Sequence, residues 1–365
     1  MKNKSIVVGQ NRRFEIESNP IPYITQNQVL IEILHAGICG TDMQFINGSR
    51  RIESNILGHE GVGRLIQIGE SLSNQFNIGD IVTFLPHSVE TPDCILGHNI
   101  SGLFANFIVL EANQAKELIV PCQTNTKRNL LVLSEPLASV VFSIDLLSMS
   151  DEIKRFGIIG LGTIGALSAI TVSIMYPTAD IYCFHNNDEK VKWIRENNLI
   201  NTDKIHFVNI KDHTTIDGLL NTLESTVVCT SKSGSKSGLS LAVKITKNGG
   251  VIDLLSGYQQ DCIEIHETTF NTKHIRSQNI CEDANSPPIS KQVQDKTLFL
   301  RGHRGISKQH MLRSIALLEA HCDSFSKVIS TNYSPIEAVD FFNHHVNTSA
   351  NSMLRNNKLK MVINF

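Results

Sequence analysis

The stretch that most constrains the fold is residues 155–165. An apolar run of strand type ends in Gly160-x-Gly162-x-x-Gly165, and an apolar helical pattern follows over residues 164–175. Strand, glycine turn and helix in this order form the dinucleotide-binding fingerprint. The first glycine permits the tight turn, the second lets the backbone approach a pyrophosphate, and the third lets helix and strand pack closely.

The start of this helix offers free N–H groups and the positive end of the helix dipole to a pyrophosphate. GxGxxG strings also occur in ordinary turns, but the strand before and the helix after favour a cofactor site. We therefore predict that a dinucleotide binds at Gly160, Gly162, Thr163, Ile164 and Gly165.

Composition excludes several classes of protein. A chain of 365 residues suits two domains, and 41% hydrophobic with 19% charged residues is typical of a packed core. The net charge is −2 without a basic block, so we expect neither nucleic acid nor an anionic membrane as a partner. No apolar run reaches about 18 residues, which predicts no transmembrane helix.

The cysteines and the start of the chain indicate a compartment. Eight cysteines are scattered without a CxxC pair, a pattern typical of reduced thiols rather than of a disulfide framework. The first residues contain no apolar segment of signal-peptide length. We expect a cytoplasmic protein.

The pattern of apolar residues changes along the chain. Up to about residue 110, short β-like runs lie between glycine-containing turns, which predicts an antiparallel barrel or sandwich. From about residue 150, strand-like and helical runs alternate, which predicts βαβ units and a parallel sheet. Residues 264–297 are polar and irregular, and we interpret them as an extended connection that leaves the sheet.

Three short motifs carry residues that suit catalysis. They are GICGTD at 37–42, GHE at 58–60 and SEPLA at 134–138. Thiolate, imidazole and carboxylate together suit zinc. Singly, a cysteine is usually a small core residue, a histidine a hydrogen-bonded side chain, and Glu-Pro a helix break. Spacing alone leaves a zinc site and unrelated residues equally open.

These motifs, with GLGTIG at 160–165, GDIV at 79–82, KNGGV at 247–251 and KMV at 360–362, follow the order found in one family. The chain resembles the zinc-dependent medium-chain dehydrogenases/reductases over nearly its whole length. Glu135 makes it similar to the sorbitol, glucose and threonine dehydrogenase branch, because the liver-type alcohol dehydrogenases carry cysteine there.

The resemblance implies an α/β fold, in which a Rossmann doubly wound parallel sheet accompanies a GroES-like β-barrel catalytic domain. The implied domains are 1–145 for the first part of the catalytic domain, 146–289 for the Rossmann domain, and 290–365 for the part that completes the catalytic domain. Homodimers and homotetramers are common in this family, so we expect a homo-oligomer.

The resemblance also implies a metal site. Cys39 and His59 would be zinc ligands, and Glu60 and Glu135 would be carboxylates at the metal, with Glu60 in a catalytic role. Zinc would polarise the oxygen of a bound alcohol, and an open coordination position favours three firm protein ligands over four.

Three further residues have implied roles. Thr41 would lie beside the substrate hydroxyl and pass on its proton, Asp42 would orient His59, and Ser139 would lie near the nicotinamide. The implied reaction is hydride transfer between a secondary alcohol, of sugar, polyol or cyclitol type, and a nicotinamide cofactor. Two alternatives remain: a metal-free NADPH reductase of the same fold, and a non-catalytic NADP-binding or structural protein.

Two departures from the family concern metal and proton transfer. Many relatives hold a second, structural zinc with four cysteines, but residues 86–98 retain only Cys94, so we predict one catalytic zinc and no structural zinc. His87, Asp93, Cys94 and His98 could form a substitute site, although unrelated loop residues are the favoured interpretation. Gln44 occupies a position where relatives often have a histidine that relays the proton.

A third departure concerns the cofactor. The second Rossmann strand usually ends in an acid that binds the ribose of NAD, whereas here it ends in His185 and Asn186. His185 and Lys190 could bind a 2′-phosphate, so we predict NADP, with NAD as the alternative through residues 188–189. Residues 301–305, RGHRG, are interpreted as a surface or subunit-contact turn; the alternative is an anion site for a phosphorylated or carboxylated substrate.

Overall fold

The computed structural model describes residues 2–88, 90–91, 93–123, 125–148, 153–200, 203–281, 286–346 and 358–365. The chain forms two compact units. The first comprises Met1–Ala138 and Ser307–Phe365, and the second comprises Ser139–Ile306.

Strands and helices are numbered here in chain order. The strands are β1 (Lys2–Val8), β2 (Phe14–Pro20), β3 (Gln28–Ile38), β4 (Glu60–Ile68), β5 (Ile81–Phe84), β6 (Phe107–Glu111), β7 (Ile119–Pro121), β8 (Arg155–Ile159), β9 (Asp180–His185), β10 (Ile205–Asn209), β11 (Leu223–Val228), β12 (Thr246–Asp253), β13 (Cys262–Ile265), β14 (Thr268–Asn271), β15 (Ile289–Val293), β16 (Lys296–Arg301), β17 (Ile329–Tyr333) and β18 (Lys360–Asn364). The α-helices are α1 (Gly40–Ile46), α2 (Ala112–Leu118), α3 (Ser134–Leu147), α4 (Thr163–Met175), α5 (Asp188–Glu196), α6 (His213–Gly218), α7 (Ser235–Ile245), α8 (Thr272–Arg276), α9 (Lys308–Ala320), α10 (Cys322–Ser326) and α11 (Pro335–His345).

The first unit is organised around the long strand β3. Its neighbours in the sheet are β4, β6 and β18, all antiparallel to it, and the strand order is β17-β18-β3-β4-β5-β7 with β6 also on β3. Alternate apolar side chains of β3, such as Val29, Ile31 and Ile33, are buried in one hydrophobic core together with Phe104 and Phe342. β18 therefore brings the end of the chain beside the end of β3.

The second unit contains a parallel sheet with strand order β10-β9-β8-β11-β12-β16-β15, in which only β15 is antiparallel. The first six strands follow the 3-2-1-4-5-6 order of a doubly wound dinucleotide-binding fold. The predicted α/β class is confirmed. The alternation of buried apolar strands and helices after residue 150 arises because each crossover helix covers a face of this sheet.

Residues 264–297 differ from the prediction. Within the described part of this segment, β13 and β14 form a hairpin, α8 follows, and β15 and β16 join the parallel sheet; residues 282–285 lie outside the described residues. The polar sequence is explained by position, because β15 is an edge strand and only one of its residues, Val293, is fully buried. Consequently residues 290–306 lie in the second unit, not in the C-terminal part of the first.

In the part of the chain that the structure describes, one helical stretch, Arg128–Leu147, is long and apolar enough to cross a membrane by length and composition. It contains α3, and 83% of its most apolar window is buried inside the protein. A buried core helix passes the same test, so this stretch is weak evidence for a membrane span.

Candidate functional site

The candidate metal site begins where β3 ends. Cys39 is the residue before α1, and Asp42 lies at the third position of that helix. The Asp42 carboxylate accepts a 2.8 Å hydrogen bond from the Cys39 N–H and a 3.3 Å hydrogen bond from the Gly58 N–H. Asp42 is fully buried and thereby joins the start of α1 to the segment that carries His59.

The structure brings three predicted residues together. Ligand atoms of Cys39, His59 and Glu60 all lie within 4.8 Å of one another, and within the described ranges this is the one group of three or more such residues. Burial by itself would lower the pKa of His59, but the Cys39 thiol, Asp42 and Glu135 raise it to about 10. The surroundings of this imidazole therefore favour positive charge.

This donor set fits zinc. Sulfur, imidazole nitrogen and carboxylate oxygen are the three ligand types that zinc prefers. Nδ1 of His59 is buried and has no hydrogen bond to any residue that the structure describes, and Oδ1 of Asp42 is 3.9 Å from it. A metal-binding histidine is usually oriented by a carboxylate that lies beside one of its ring nitrogens. Asp42 has this position at His59, with the sulfur donor of Cys39 close to the same ring.

Lys360 is a site residue that the sequence analysis missed. Its Nζ, on β18, donates a short hydrogen bond to Oε2 of Glu60 and a 3.3 Å hydrogen bond to the Ile38 carbonyl, and both side chains are almost fully buried. Glu60 lies opposite Gly37 on β3, and a Cβ at Gly37 would come within 2.6 Å of the same Oε2. The absent side chain thus lets Glu60 reach Lys360. A lysine among the apolar residues of a strand was the available signal.

Two other predicted residues lie near this group. The pKa of Glu135 is raised to about 7, first by burial and then by the neighbouring Glu60, against the opposing effects of His59 and Lys360. Oγ1 of Thr41 is 3.8 Å from Sγ of Cys39. Glu135 is therefore an electrostatic neighbour of the donor group without being one of its three members.

Asp42→Asn is expected to weaken metal binding about 10- to 100-fold, as loss of such an orienting partner typically does. The asparagine side chain carries no charge towards His59. Its NH2 group would also face one of the two backbone N–H groups that now donate to Asp42, those of Cys39 and Gly58. Competition with a chromophoric chelator measures the metal dissociation constant. Asp340→Asn, at an exposed position of α11, is the matched control. An unchanged constant in Asp42→Asn would contradict the orienting role.

In the loop at residues 86–98, the candidate ligands of a substitute metal site differ in their exposure. Asp93 and Cys94 are exposed, whereas the ring of His98 packs edge-on against His59 and Phe45, with centroids 5.1 and 5.0 Å away. Both ring nitrogens of His98 lack hydrogen bonds within the described residues. Burial lowers the pKa of His98 to about 3, so this ring is neutral near pH 7.

The glycine turn of the second unit has the geometry that the sequence predicts. Gly160 has φ +107°, which favours glycine, and a Cβ at Gly165 would lie 1.9 Å from the Gly160 carbonyl oxygen. A Cβ at Gly162 would meet nothing within 4 Å. Gly162 precedes α4 and supplies no side-chain cap, so the first N–H groups of α4 receive no hydrogen bond from that residue's side chain. The start of a helix in this position is where a dinucleotide-binding fold holds a pyrophosphate.

Two alanine substitutions separate packing from cofactor binding. Gly165→Ala is expected to lower the free energy of unfolding by about 1–3 kcal/mol, because its methyl group collides with backbone. Gly162→Ala is expected to leave that free energy nearly unchanged and to weaken cofactor binding, because the methyl group occupies only the space beside the turn. Urea unfolding and fluorescence titration with NADPH measure the two effects. Equal losses of stability in both variants would refute this division.

The end of β9 borders a surface cavity of about 420 Å³, whose lining includes His185, Asp188, Lys192, Arg195 and Asn209. Asn209 donates a 2.8 Å hydrogen bond to Asp188. Burial lowers the pKa of His185, which is 7% exposed.

The other predicted cofactor residues also belong to the second unit. Lys190 does not line this cavity, because its side chain is buried on α5 and its pKa is lowered by that burial. Asn186 is exposed, and Ser139 is half-buried on α3.

Comparison with known proteins agrees with both units. Residues 25–120 match the alcohol dehydrogenase GroES-like domain, which confirms the predicted GroES-like fold. Ribulose-5-phosphate reductase 1 of Staphylococcus aureus is 24% identical over 349 residues, 88% of this chain and 94% of that protein. L-threonine 3-dehydrogenase of Bacillus licheniformis is 26% identical, over 65% of this chain and 71% of that protein.

A solved structure has a similar fold over the whole length of this chain. The crystal structure of S. aureus TarJ in complex with NADPH has a TM-score of 0.68 and 19% identity, covering 100% of this chain and 99% of that one. The predicted family is confirmed. The chain belongs to the zinc-type medium-chain dehydrogenase/reductase family, in its sorbitol/threonine dehydrogenase-like branch, and is an NAD(P)-dependent alcohol oxidoreductase.

Proposed function

We propose that this chain is a zinc-dependent dehydrogenase that transfers a hydride between a secondary alcohol of sugar, polyol or cyclitol type and NADP. The observation that carries the proposal is the convergence of Cys39, His59 and Glu60 ligand atoms within 4.8 Å in a buried site. A metal-free reductase does not require a thiol, an imidazole and a carboxylate to meet in this way.

The residues of the proposed site have different roles. Cys39 and His59 would hold the metal, and Lys360 restrains Glu60 beside it. Zinc, when bound, supplies a Lewis acid that lowers the pKa of a substrate hydroxyl. Thr41, whose hydroxyl lies 3.8 Å from the Cys39 sulfur, would accept the hydroxyl proton and pass its own proton on to another group or to water.

The preference for NADP has two supports. β9 ends in His185 rather than in an acid, so the repulsion of a 2′-phosphate is absent. Lys192 and Arg195 line the adjoining cavity, and TarJ binds NADPH. Against this, Asp188 lines the same cavity, although Asn209 holds its carboxylate. Steady-state kinetics with NADP and with NAD test this preference. A much higher catalytic efficiency with NAD would overturn it.

The decisive experiment combines metal analysis with turnover. Purified protein is expected to contain one zinc per chain by elemental analysis and to oxidise or reduce members of a panel of pentitols, hexitols, cyclitols and their ketoses and phosphates. The name of the S. aureus relative makes ribulose 5-phosphate the first compound to try. Turnover of activated alkenes or quinones by metal-free protein would instead establish the metal-free reductase.

We further propose a cytoplasmic homodimer or homotetramer. All eight cysteines are free thiols, which suits a reducing compartment. Sedimentation equilibrium at two protein concentrations measures the number of subunits.

A further inference from the structure

A cluster of buried polar groups lies at the carboxyl ends of β12 and β16 in the second unit. Asp253 ends β12, Arg301 ends β16, and the two residues pair across the sheet. Ser143 of α3 donates a 2.6 Å hydrogen bond to Oδ2 of Asp253. Arg276 of α8 packs close by, since a Cβ at Gly302 would lie 3.0 Å from its Cγ.

The members of this cluster are electrostatic neighbours. Asp253 interacts with Arg276 and Arg301, and Arg276 interacts in turn with Tyr258 and Arg304. Burial raises the pKa of Asp253 to about 7, and its side chain is fully buried. The three guanidinium groups against one carboxylate leave the cluster with a net positive charge.

The cluster is incompletely hydrogen-bonded. Across the described residues, its buried atoms without a partner are Oδ1 of Asp253, the hydroxyl of Tyr258, Nε of Arg276 and Nε of Arg301. Buried polar atoms are nearly always paired, so four such atoms together point to a partner that is not among the described residues. Three of the four are donors, and that partner must therefore chiefly accept hydrogen bonds.

We propose that Arg276, Arg304 and the hydroxyl of Tyr258 bind a phosphate monoester or inorganic phosphate, with the buried carboxyl group of Asp253 as an electrostatic neighbour of Arg276. Such a group carries about −1.5 to −2 charges near pH 7 and offers three acceptor oxygens. Guanidinium groups match phosphate geometry better than any other side chain. The carboxyl edge of a doubly wound sheet is also the edge at which such folds bind ligands.

This phosphate is separate from those of the cofactor. The pyrophosphate belongs at the turn after β8, and a 2′-phosphate belongs at the end of β9. The strand order places β8 two strands and β9 three strands from β12, or about 10 and 14 Å at the usual strand spacing. The phosphate is either that of a phosphorylated substrate or free phosphate. If the phosphate belongs to a substrate, the inference rests on the proposed function and names its substrate class. If the ligand is free phosphate, the inference is independent of that function.

Calorimetric titration of the full-length, metal-loaded protein with inorganic phosphate, at constant ionic strength, tests the site. We expect Tyr258→Phe and Arg276→Met each to weaken phosphate binding about tenfold or more, as loss of a hydrogen bond to a charged group does. The matched controls are Tyr182→Phe on β9 and Lys273→Met, an exposed cation on α8, and neither should change the affinity.

Tyr258→Phe keeps the test valid if Arg276→Met fails to fold. Among the described residues the Tyr258 hydroxyl has no hydrogen-bond partner, so its removal should leave the melting temperature unchanged while phosphate affinity falls. Absence of phosphate binding by the unaltered protein, or equal binding by Tyr258→Phe, would overturn the proposal.

Turnover identifies the source of the phosphate. If Tyr258→Phe lowers kcat/KM for a phosphorylated polyol or ketose and not for its unphosphorylated counterpart, the substrate supplies the phosphate. If phosphate binding weakens but both kcat/KM values stay unchanged, free phosphate is the ligand. If no compound turns over, the proposed function fails, and the titration still decides whether the phosphate site exists.

Discussion

Cys39→Ser is expected to remove the bound zinc and to lower kcat by about three orders of magnitude or more. A Lewis acid contributes several kcal/mol to the stabilisation of the transition state, and each 1.4 kcal/mol is a tenfold change in rate. Cys39 provides one of three clustered donors, and a serine hydroxyl stays protonated near pH 7, so it is a poor zinc ligand. Elemental analysis and steady-state kinetics on the same preparation measure both effects.

The matched control is Cys94→Ser. Cys94 is an exposed thiol in the loop that, in relatives, holds the structural zinc, so its loss should leave zinc content and kcat unchanged. If Cys39→Ser kept one zinc per chain and full turnover, the proposed metal centre would be wrong. If Cys94→Ser lost zinc, the prediction of a single catalytic zinc would be wrong.

Lys360→Met is expected to lower the free energy of unfolding by about 3–5 kcal/mol, because it leaves the buried carboxylate of Glu60 without its partner. Lys360 is 2% exposed and Glu60 is 1% exposed, so water cannot replace the lost ammonium group. Chemical denaturation of metal-free protein measures the change without the contribution of a bound metal. Lys4→Met, at an exposed position of β1, is the matched control and should cost little.

A second substitution identifies the cause of this loss. Glu60→Gln in the same chain removes the buried carboxylate that Lys360→Met leaves unpaired, so it should recover most of the lost free energy of unfolding at pH 7. A loss that is unaffected by Glu60→Gln would instead indicate disrupted packing.

Local patterns predicted much of the fold and of the site. The order of strand, Gly160-x-Gly162-x-x-Gly165 and helix is a short-range property, and each glycine meets a steric demand within a few residues. The alternation of strands and helices predicted the parallel sheet for the same reason. The motifs around Cys39 and His59 identified donors that the structure places in one group.

Long-range pairing was not predictable in the same way. From the sequence, residues 264–297 were interpreted as an irregular connection. The reason is that the edge strand β15 buries too few side chains to show an apolar pattern. Lys190 was predicted as a phosphate ligand, and the sequence does not show that its side chain is 7% exposed in the folded protein. Burial of this kind depends on the packing of the whole unit.

By itself the sequence determined that this chain builds a dinucleotide-binding turn and carries a thiol, an imidazole and a carboxylate suited to zinc. Only the tertiary structure decided which distant residues complete these sites. β18 places Lys360 beside Glu60, 300 positions earlier in the chain, and β12, β16 and α8 gather Asp253, Arg301 and Arg276 at one edge of a sheet. The physical reason is that a local motif specifies its own backbone geometry, whereas the charge that balances a buried group depends on which strands pair.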